Sequence, residues 1–400
     1  MSRDRRLLTI LAVVLVQMVG ASMILPILPL YAKNEFGLSP QAVTVLAASF
    51  FAAQFLAGPY LGRLSDRVGR VPVLVVSQLG TALSFVLIAV APNATWLFVA
   101  RILDGITGGN IVVAQAYITD VTPPQKRAQA LGLVFAMFGV AFVIGPALGG
   151  LLSGFGLQLP YLVAAVAASV AVVLTWRILD ESLSAEEREA RRAARERLSA
   201  RLVLGNRTLL ITLVLGFLAM FVLGLVVSTF ALVGEAYLFT EAEPARLNLS
   251  IGLLLTVVGL AQVLTQTRLL GPILERLGEA GTAILGTAAR GIGLVVGFLI
   301  PAWPLTALGS ALFAFGGGIH QPPIQAIATR TLPDRFRGGV LGLYQSVTSV
   351  GTILSTALGG FLFARQILLP MWAAAGLSIV AIAPTSLLLR LPTETPDVAA

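Results

Sequence analysis

The sequence of 400 residues contains no cysteine and a single histidine. Without cysteine the chain forms no disulfide bond and no thiolate-ligated metal site, and one histidine is too few for the usual zinc centres. Charged residues are also scarce, at 12% of the chain, whereas soluble domains usually have about 25%. These absences predict a protein without a metal site or cofactor, and they argue against a water-soluble domain.

The chain is instead rich in long apolar stretches. Hydrophobic residues make up 57% of it, and many of the apolar runs are long enough to cross a hydrocarbon core about 30 Å thick. The runs predict an all-α membrane protein with twelve transmembrane spans. The predicted spans are 7–31, 41–62, 71–91, 95–117, 128–152, 159–179, 207–233, 248–270, 281–301, 304–328, 338–361 and 368–390.

Basic residues are concentrated in alternate loops. With the N-terminus in the cytoplasm, the cytoplasmic segments hold 22 of the 27 Lys and Arg residues, the external loops hold three, and two lie within spans. Cytoplasmic loops of membrane proteins carry such an excess of Lys and Arg. The distribution predicts that both termini are cytoplasmic, and it explains the net charge of +8 without a nucleic-acid partner.

The spans fall into two sets of six. We expect one six-helix bundle over 1–179 and a second over 207–400, joined by a cytoplasmic linker at 180–206. Acids and arginines recur at helical spacing within this linker, which favours a charged helix on the membrane surface. A solvated, irregular linker stays open as the alternative.

The two sets of spans are related by an internal repeat. Residues 119–150 align without a gap on 329–360, and an offset of nearly the same size relates 62–70 to 271–279. Because the repeated helices run in the same direction, the repeat predicts two pseudo-symmetric bundles with a substrate site between them and access that alternates between the two sides. Chance similarity of glycine-rich helices is the alternative interpretation.

The tight loop between spans 2 and 3 carries a dense motif, GRLSDRVGR at 62–70. Its glycines permit a compact turn, and a carboxylate just before the next helix favours the positive end of the helix dipole. We expect Arg70 to pair with Asp120 at the inner end of span 4, forming a cytoplasmic gate that holds one conformational state. A basic turn without a gating role is the alternative. The predicted gate residues are Gly62, Asp66, Arg67, Gly69, Arg70 and Asp120.

The loop motif resembles that of the major facilitator superfamily, and the resemblance extends over essentially the whole chain. Other motifs carry it too: LPILP at 25–29, RILDGITGG at 101–109 and GPALGG at 145–150. Together they are similar to the 12-helix drug:proton antiporters, most closely the tetracycline-resistance branch. The resemblance implies the major facilitator fold, secondary active transport driven by the proton gradient, and a location in the inner membrane.

Span 5 carries the motif that the resemblance associates with export. In the family, a glycine–proline motif at this place marks exporters, which assigns that role to Gly145, Pro146, Gly149 and Gly150. The glycines also allow a neighbouring helix backbone to approach closely, and the proline removes one intrahelical hydrogen bond. Close helix packing alone is therefore the alternative explanation of the glycines.

Three ionisable residues are the candidates for proton coupling. Charges inside a membrane are costly and therefore mark functional sites. Arg101 and Asp104 are three residues apart in span 4 and can pair on one face. The resemblance implies a part for the arginine in proton coupling, with Asp104 as the titrating partner; a static packing pair is an equally good interpretation. Glu235, near the outer end of span 7, is the second candidate proton carrier.

Polar and aromatic residues on otherwise apolar spans outline a candidate substrate cavity. Each of them can alternatively serve as an interhelical hydrogen bond or as core packing. Gln17 stands where many relatives in the tetracycline branch have an acid, which removes one expected partner for a cationic drug. The candidate cavity residues are Gln17, Gln54, Asn110, Gln115, Phe138, Gln262, Arg290, His320, Gln321 and Gln345.

The sequence therefore predicts a monomeric, proton-coupled exporter of small amphiphilic compounds. Other functions stay open: an uptake symporter or facilitator for a metabolite, and a lipid or glycolipid translocase or non-transporting sensor. Enzyme activity is not expected, because the sequence shows neither a phosphate-binding Gly-Lys loop nor a Ser-His-Asp set.

Overall fold

The computed structural model describes residues 3–108, 110–123, 127–182, 199–333 and 336–390, and these residues are helical without any β-strand. Two short π-helical segments, Gly234–Leu238 and Thr265–Leu269, interrupt the α-helices of the second half. The helices in chain order are α1 Arg3–Ile24, α2 Leu28–Phe36, α3 Pro40–Val68, α4 Arg70–Ala89, α5 Ala94–Thr107, α6 Asn110–Val121, α7 Arg127–Ser153, α8 Leu159–Ile178, α9 Ala200–Gly205, α10 Arg207–Val233, α11 Pro244–Leu264, α12 Leu270–Phe298, α13 Trp303–Arg330, α14 Arg337–Arg365 and α15 Leu369–Leu387.

Nine segments of the described residues are long and apolar enough to cross a membrane. One of them, Pro244–Phe298, runs through α11 and α12, and a shorter apolar helix covers Met137–Ser153. The chain is thus an all-helical, multi-pass membrane protein. Each of the twelve predicted spans coincides in large part with helices of the structure, but twelve membrane crossings and cytoplasmic termini stay predictions.

Two predicted spans are interrupted in the structure. The span 7–31 is divided between α1 and α2, because Pro26 has no N–H to donate in the turn between them. The span 95–117 is divided between α5 and α6 at Gly108, whose N–H closes α5 on the carbonyl oxygen of Asp104 at 2.5 Å. The mean hydropathy of a segment depends only on its composition, so it did not reveal either break.

The chain divides into two compact units, of which the first is Met1–Arg195 with Phe239–Gly259. Within it α1 packs on α7 and α8, α4 packs on α5 and α8, and α3 packs on α5. The core is a cluster of buried aliphatic side chains from several helices, together with Tyr117, which is 0% exposed. This packing holds α5, which carries the candidate proton-coupling pair, between two other helices.

The second unit is Glu196–Leu238 with Leu260–Ala400. Here α10 packs on α14 and α15, and α12 packs on α13 and α15. These contacts repeat the order found among the equivalent helices of the first unit. Asn206 begins α10 by accepting a hydrogen bond from the backbone N–H of Leu209 at 2.9 Å.

The predicted domain boundaries stay predictions. Residues 183–198, most of the predicted linker, lie outside the described part of the chain, and the helix α9 follows them. The side chain of the candidate cavity residue Asn110 is also outside the described part.

Candidate functional site

An ion pair lies inside α5, within an apolar segment. The helix begins after Asn93, whose side chain accepts a hydrogen bond from the backbone N–H of Trp96. Arg101 and Asp104 follow on one face, with Nη1 of the arginine 2.7 Å from Oδ2 of the aspartate. They are 9% and 5% exposed, and the guanidinium lies 4.2 Å from the centroid of the Phe50 ring. The pair is therefore almost fully removed from solvent.

The helices around this pair are tightly packed. A Cβ atom added to Gly105 would overlap a backbone carbonyl of α3, and one added to Gly80 would overlap the side chain of Thr107. Nε of Arg101 and the hydroxyl of Tyr161 are buried without a hydrogen-bond partner among the described residues. The site thus holds one compensated charge pair, and Arg101 Nε and the Tyr161 hydroxyl are available there for further hydrogen bonds.

The predicted gate residues meet at the turn between α3 and α4. Gly69 makes this turn with φ of +108°, a conformation that suits glycine. Arg70 lies between two carboxylates, with Nη2 2.7 Å from Asp66 Oδ1 and Nε 3.1 Å from Asp120 Oδ2. Its Nη1 also donates to Ser65 Oγ at 2.5 Å. Arg70 is the central cation of this cluster.

The other two predicted gate residues lie at the edge of the cluster. Gly62 is half-buried on α3, with no atom of the described residues within 4 Å of a Cβ placed on it. The side chain of Arg67 is exposed. Neither residue contributes a described contact to the ion pairs of Arg70.

Glu181 completes the cluster and was not identified from the sequence. It follows α8, and its two carboxylate oxygens accept hydrogen bonds from the backbone N–H groups of Arg70 and Val71, at 2.9 and 3.2 Å. A carboxylate at this place satisfies the free N–H groups of α4 and complements the positive end of its dipole. Ser182 Oγ donates to Asp120 Oδ2 at 3.2 Å. The only sequence signal for Glu181 was its position shortly after an apolar span.

A second ion pair lies at the matching place in the other half. In the alignment of the repeat, Glu279 corresponds to Arg70 and Arg330 corresponds to Asp120. Nη2 of Arg330 contacts Oε1 of Glu279, so the two halves carry the same pair with the charges exchanged. The side chains of Arg330 and Glu279 are 40% and 25% exposed, compared with 4% and 3% for Arg70 and Asp120.

The glycines of the predicted export motif face α1. A Cβ atom on Gly145 would overlap Ser22 Oγ, and one on Gly149 would overlap the carbonyl oxygen of Met23. Ser22 Oγ donates to the carbonyl oxygen of Ala141 at 2.8 Å. These glycines therefore bring two helix backbones into direct contact.

The remaining motif residues face α11, whose first part belongs to the same unit. A Cβ atom on Gly150 would lie 2.7 Å from the carbonyl oxygen of Asn248, and one on Gly252 would overlap that of Pro146. Pro146 lies inside α7 without ending it. The motif thus packs α7 against helices on two sides.

The candidate cavity residues differ in exposure. Gln17 is buried, Gln115 and Phe138 are half-buried, and Gln54 is half-buried with its amide donating to the carbonyl oxygen of Gly108 at 2.9 Å. In the second unit Gln321 is half-buried, whereas Gln262 and Gln345 are exposed. The structure therefore places some of these amides in helix contacts and leaves others on helix surfaces.

Arg290 and His320 lie within the second unit and are almost fully buried. Arg290 Nη2 donates to the carbonyl oxygen of Ala219 at 2.8 Å. The His320 ring nitrogen Nδ1 lies 3.0 Å from Thr287 Oγ1 and 3.2 Å from the carbonyl oxygen of Ala283. Both residues thus point into the bundle.

Glu235 lies half-buried in the π-helical segment after α10. Such segments occur often at functional sites in membrane and soluble helices. The same unit contains an open cleft of about 400 Å³, lined by Pro322, Gln325, Ala326, Thr329 and Leu341. A cleft of this size is large enough for a small organic molecule.

Comparison with known proteins identifies related sequences along the whole chain. The family model described as Major Facilitator Superfamily matches residues 10–249 and 246–400. A tetracycline resistance protein of class C from Escherichia coli is 34% identical over 357 residues, covering 88% of each chain. Multidrug resistance protein 2 of Bacillus subtilis (strain 168) is 28% identical over 94% of this chain and 93% of its own.

Solved structures share the fold at lower sequence identity. A bacterial homologue of the human lysosomal transporter Spinster, in an inward-facing and occupied conformation, superposes with a TM-score of 0.79 at 16% identity, covering 99% of each chain. A D-xylose–proton symporter superposes with a TM-score of 0.75, also at 16% identity, covering 95% of this chain and 96% of its own.

Proposed function

The chain belongs to the Major Facilitator Superfamily of transporters, and we propose that it exports small amphiphilic compounds from the cell in exchange for protons. The buried ion pair of Arg101 and Asp104 is the observation that carries this proposal. The names of the relatives, which refer to tetracycline and multidrug resistance, support drugs or similar amphiphiles as the exported compounds.

Proton coupling takes place at Asp104. While Asp104 is ionised, it compensates the charge of Arg101 in a site that excludes water. A proton that binds to Asp104 leaves the guanidinium as an uncompensated buried cation, which costs several kcal/mol and favours rearrangement to the other state. Release of the proton restores the pair, so one proton moves for each conformational cycle of this site.

The cytoplasmic cluster of Arg70 acts as the gate in this cycle. Asp66, Asp120 and Glu181 hold the ends of α3, α4, α6 and α8 together. Opening of this side requires that some of these partly desolvated contacts break, and the cluster therefore stabilises the state in which they are formed. Export follows from alternation between states open to either side.

The proposed setting is the inner membrane, with both termini in the cytoplasm and the protein acting as a monomer. The excess of Lys and Arg in alternate loops supports this orientation. The proton gradient supplies the energy, and no cofactor takes part. Most of the candidate cavity residues are uncharged glutamines, which favours amphiphilic compounds over multiply charged metabolites.

Inverted membrane vesicles with an acidic interior test the proposal. Addition of an exported compound, with tetracycline, ethidium and a neutral lipophilic dye as the probes, makes the interior less acidic if the compound enters in exchange for protons. The Asp104→Asn variant should lose this response. The Asp180→Asn variant changes an exposed carboxylate at the membrane surface and should keep it.

Three outcomes contradict the proposal. An unchanged response of Asp104→Asn would remove this residue from proton coupling. Movement of compound and protons in the same direction would identify an uptake symporter. Transfer of a labelled lipid between leaflets, with no response to any of the three probes, would identify a translocase.

A further inference from the structure

Arg290 is a buried cation inside the second unit. It is 5% exposed, and its one described hydrogen bond runs from Nη2 to the carbonyl oxygen of Ala219 at 2.8 Å. Nε is buried without a partner, and among the described residues no carboxylate lies within ion-pair distance of the guanidinium. Within the part of the chain that the structure describes, no negatively charged group therefore compensates the charge of Arg290.

The two buried arginines of the apolar helices differ in this respect. Arg101 has Asp104 at 2.7 Å and the Phe50 ring at 4.2 Å. Among the described residues Arg290 has no carboxylate partner, and besides its hydrogen bond to Ala219 it lies 5.0 Å from the centroid of the Phe313 ring. An aromatic ring and one carbonyl oxygen offset part of the cost of burying a guanidinium, but they do not neutralise its charge. A counter-ion at Arg290 would do so.

A small void adjoins Arg290. Its volume is about 10 Å³, which is room for roughly one water molecule. Thr287, His320 and Ser378 line it together with Arg290, and the lining is completed by aliphatic residues of α10 and by Ala381 of α15. The hydroxyls of Thr287 and Ser378 donate to carbonyl oxygens of their own helices at 2.8 Å each, so the guanidinium is the source of positive potential at this place.

We propose that this void binds a single halide-sized monovalent anion, chloride under ordinary conditions, as the counter-ion of Arg290. A water molecule fits the void but leaves the charge uncompensated. A chloride ion is larger than a water molecule, but it is smaller than sulfate or the carboxylate group of a transported compound, so it requires the least widening of the void. His320 supplies no negative charge, because its ring is either neutral or cationic.

Thermal unfolding of the purified full chain in detergent tests the site. Chloride replaces gluconate at constant ionic strength, and bromide serves as a second halide. The wild-type protein should show a saturable rise in Tm of roughly 2 to 4 °C with either halide, because the anion binds only the folded state. Arg290→Gln should lose this rise. The control Arg365→Gln removes an exposed arginine of the same unit and should keep it.

A second variant covers the case in which Arg290→Gln does not fold. Ala381→Leu fills the void from α15 while retaining the arginine, and it should lose the halide response as well. Anomalous diffraction from crystals grown in bromide should give a peak within hydrogen-bond distance of the Arg290 guanidinium.

The inference is overturned if gluconate and chloride stabilise the protein equally. It is also overturned if Arg290→Gln or Ala381→Leu retains the halide response, or if bromide binds only elsewhere. None of these results depends on whether the protein exports compounds in exchange for protons, so the two proposals fail independently.

Discussion

The buried ionisable residues show how one side-chain type is used differently in the two halves. Arg101 is compensated within its own helix by Asp104, because a spacing of three residues puts both side chains on one face. Arg290 has no such neighbour on α12, and its described contacts are a carbonyl oxygen and an aromatic ring. The first arrangement suits a site that gains and loses a proton, and the second suits a site that binds an anion.

The ion pair of α5 makes a prediction about stability. Arg101→Met leaves Asp104 as a buried charge without its partner and should lower the free energy of unfolding by about 3 to 5 kcal/mol. The double variant with Asp104→Leu removes both charges and should recover most of this loss, although it should not transport. Unfolding in detergent measures both values, and additive effects of the two substitutions would contradict a coupled pair.

At the scale of elements, the repeat relates the turn between α3 and α4 to the kink at Gly278 inside α12. The ion pair at the first place has its cation where the pair at the second place has its anion. The turn at Gly278 has φ of +65°, as the turn at Gly69 has φ of +108°. Arg70 begins α4, and Glu279 begins the part of α12 that follows its kink at Gly278. Each of the two pairs with a residue near the end of another helix. The two ion pairs differ in burial, because only the first is closed off from solvent.

This difference predicts unequal effects of the same substitution. Arg70→Met removes the central cation of a buried cluster and should cost about 3 kcal/mol of unfolding free energy. Arg330→Met removes a partly exposed arginine, whose ion pair is screened by solvent, and should cost less than about 1 kcal/mol. Parallel unfolding curves of the two variants provide the measurement, and equal losses would show that burial does not distinguish the pairs.

The packing of α7 makes a second prediction at this scale. Gly149→Ala adds a methyl group where the carbonyl oxygen of Met23 already lies, and it should destabilise the protein by about 1 to 3 kcal/mol. Gly376→Ala adds the same group to an exposed position of α15 with open space around it, and should stabilise by roughly 0.5 to 1 kcal/mol. Thermal unfolding compares the two, and a tolerated Gly149→Ala would disprove the close contact.

At the scale of the whole molecule, the distribution of basic residues determines how the chain is placed in a membrane. The 22 Lys and Arg residues of one set of predicted loops outnumber the three of the other set, which predicts that the first set is cytoplasmic. The contacts within each unit do not depend on this orientation, whereas the direction of transport does.

The absence of cysteine allows a direct test of the orientation. Asn34→Cys and Arg67→Cys each introduce one thiol at an exposed position on opposite sides of the predicted topology. A membrane-impermeant maleimide added to intact cells should label Asn34→Cys, and should label Arg67→Cys only after the cells are opened. The reverse pattern would place the termini outside.

Much of the fold could be predicted because hydropathy and charge are properties of each segment by itself. The predicted spans 71–91, 128–152 and 159–179 agree with α4, α7 and α8 to within two residues at each end. The interruptions at Pro26 and Gly108 were missed, since a single turn changes the mean hydropathy of a span very little. Arg101 and Asp104 could be paired from their spacing, because both lie on one helix.

The sequence by itself determined the class of the protein, its helical segments, the bias of its basic residues and the repeat, because each of these depends on residue type and order along the chain. Only the tertiary structure decided which charges are compensated. Glu181, which follows α8, caps α4 although Val71 is 110 residues away in the chain. The Arg70–Asp120 and Glu279–Arg330 pairs differ in burial although the repeat makes their positions equivalent. Burial and long-range partners depend on how helices pack, and no local pattern records them.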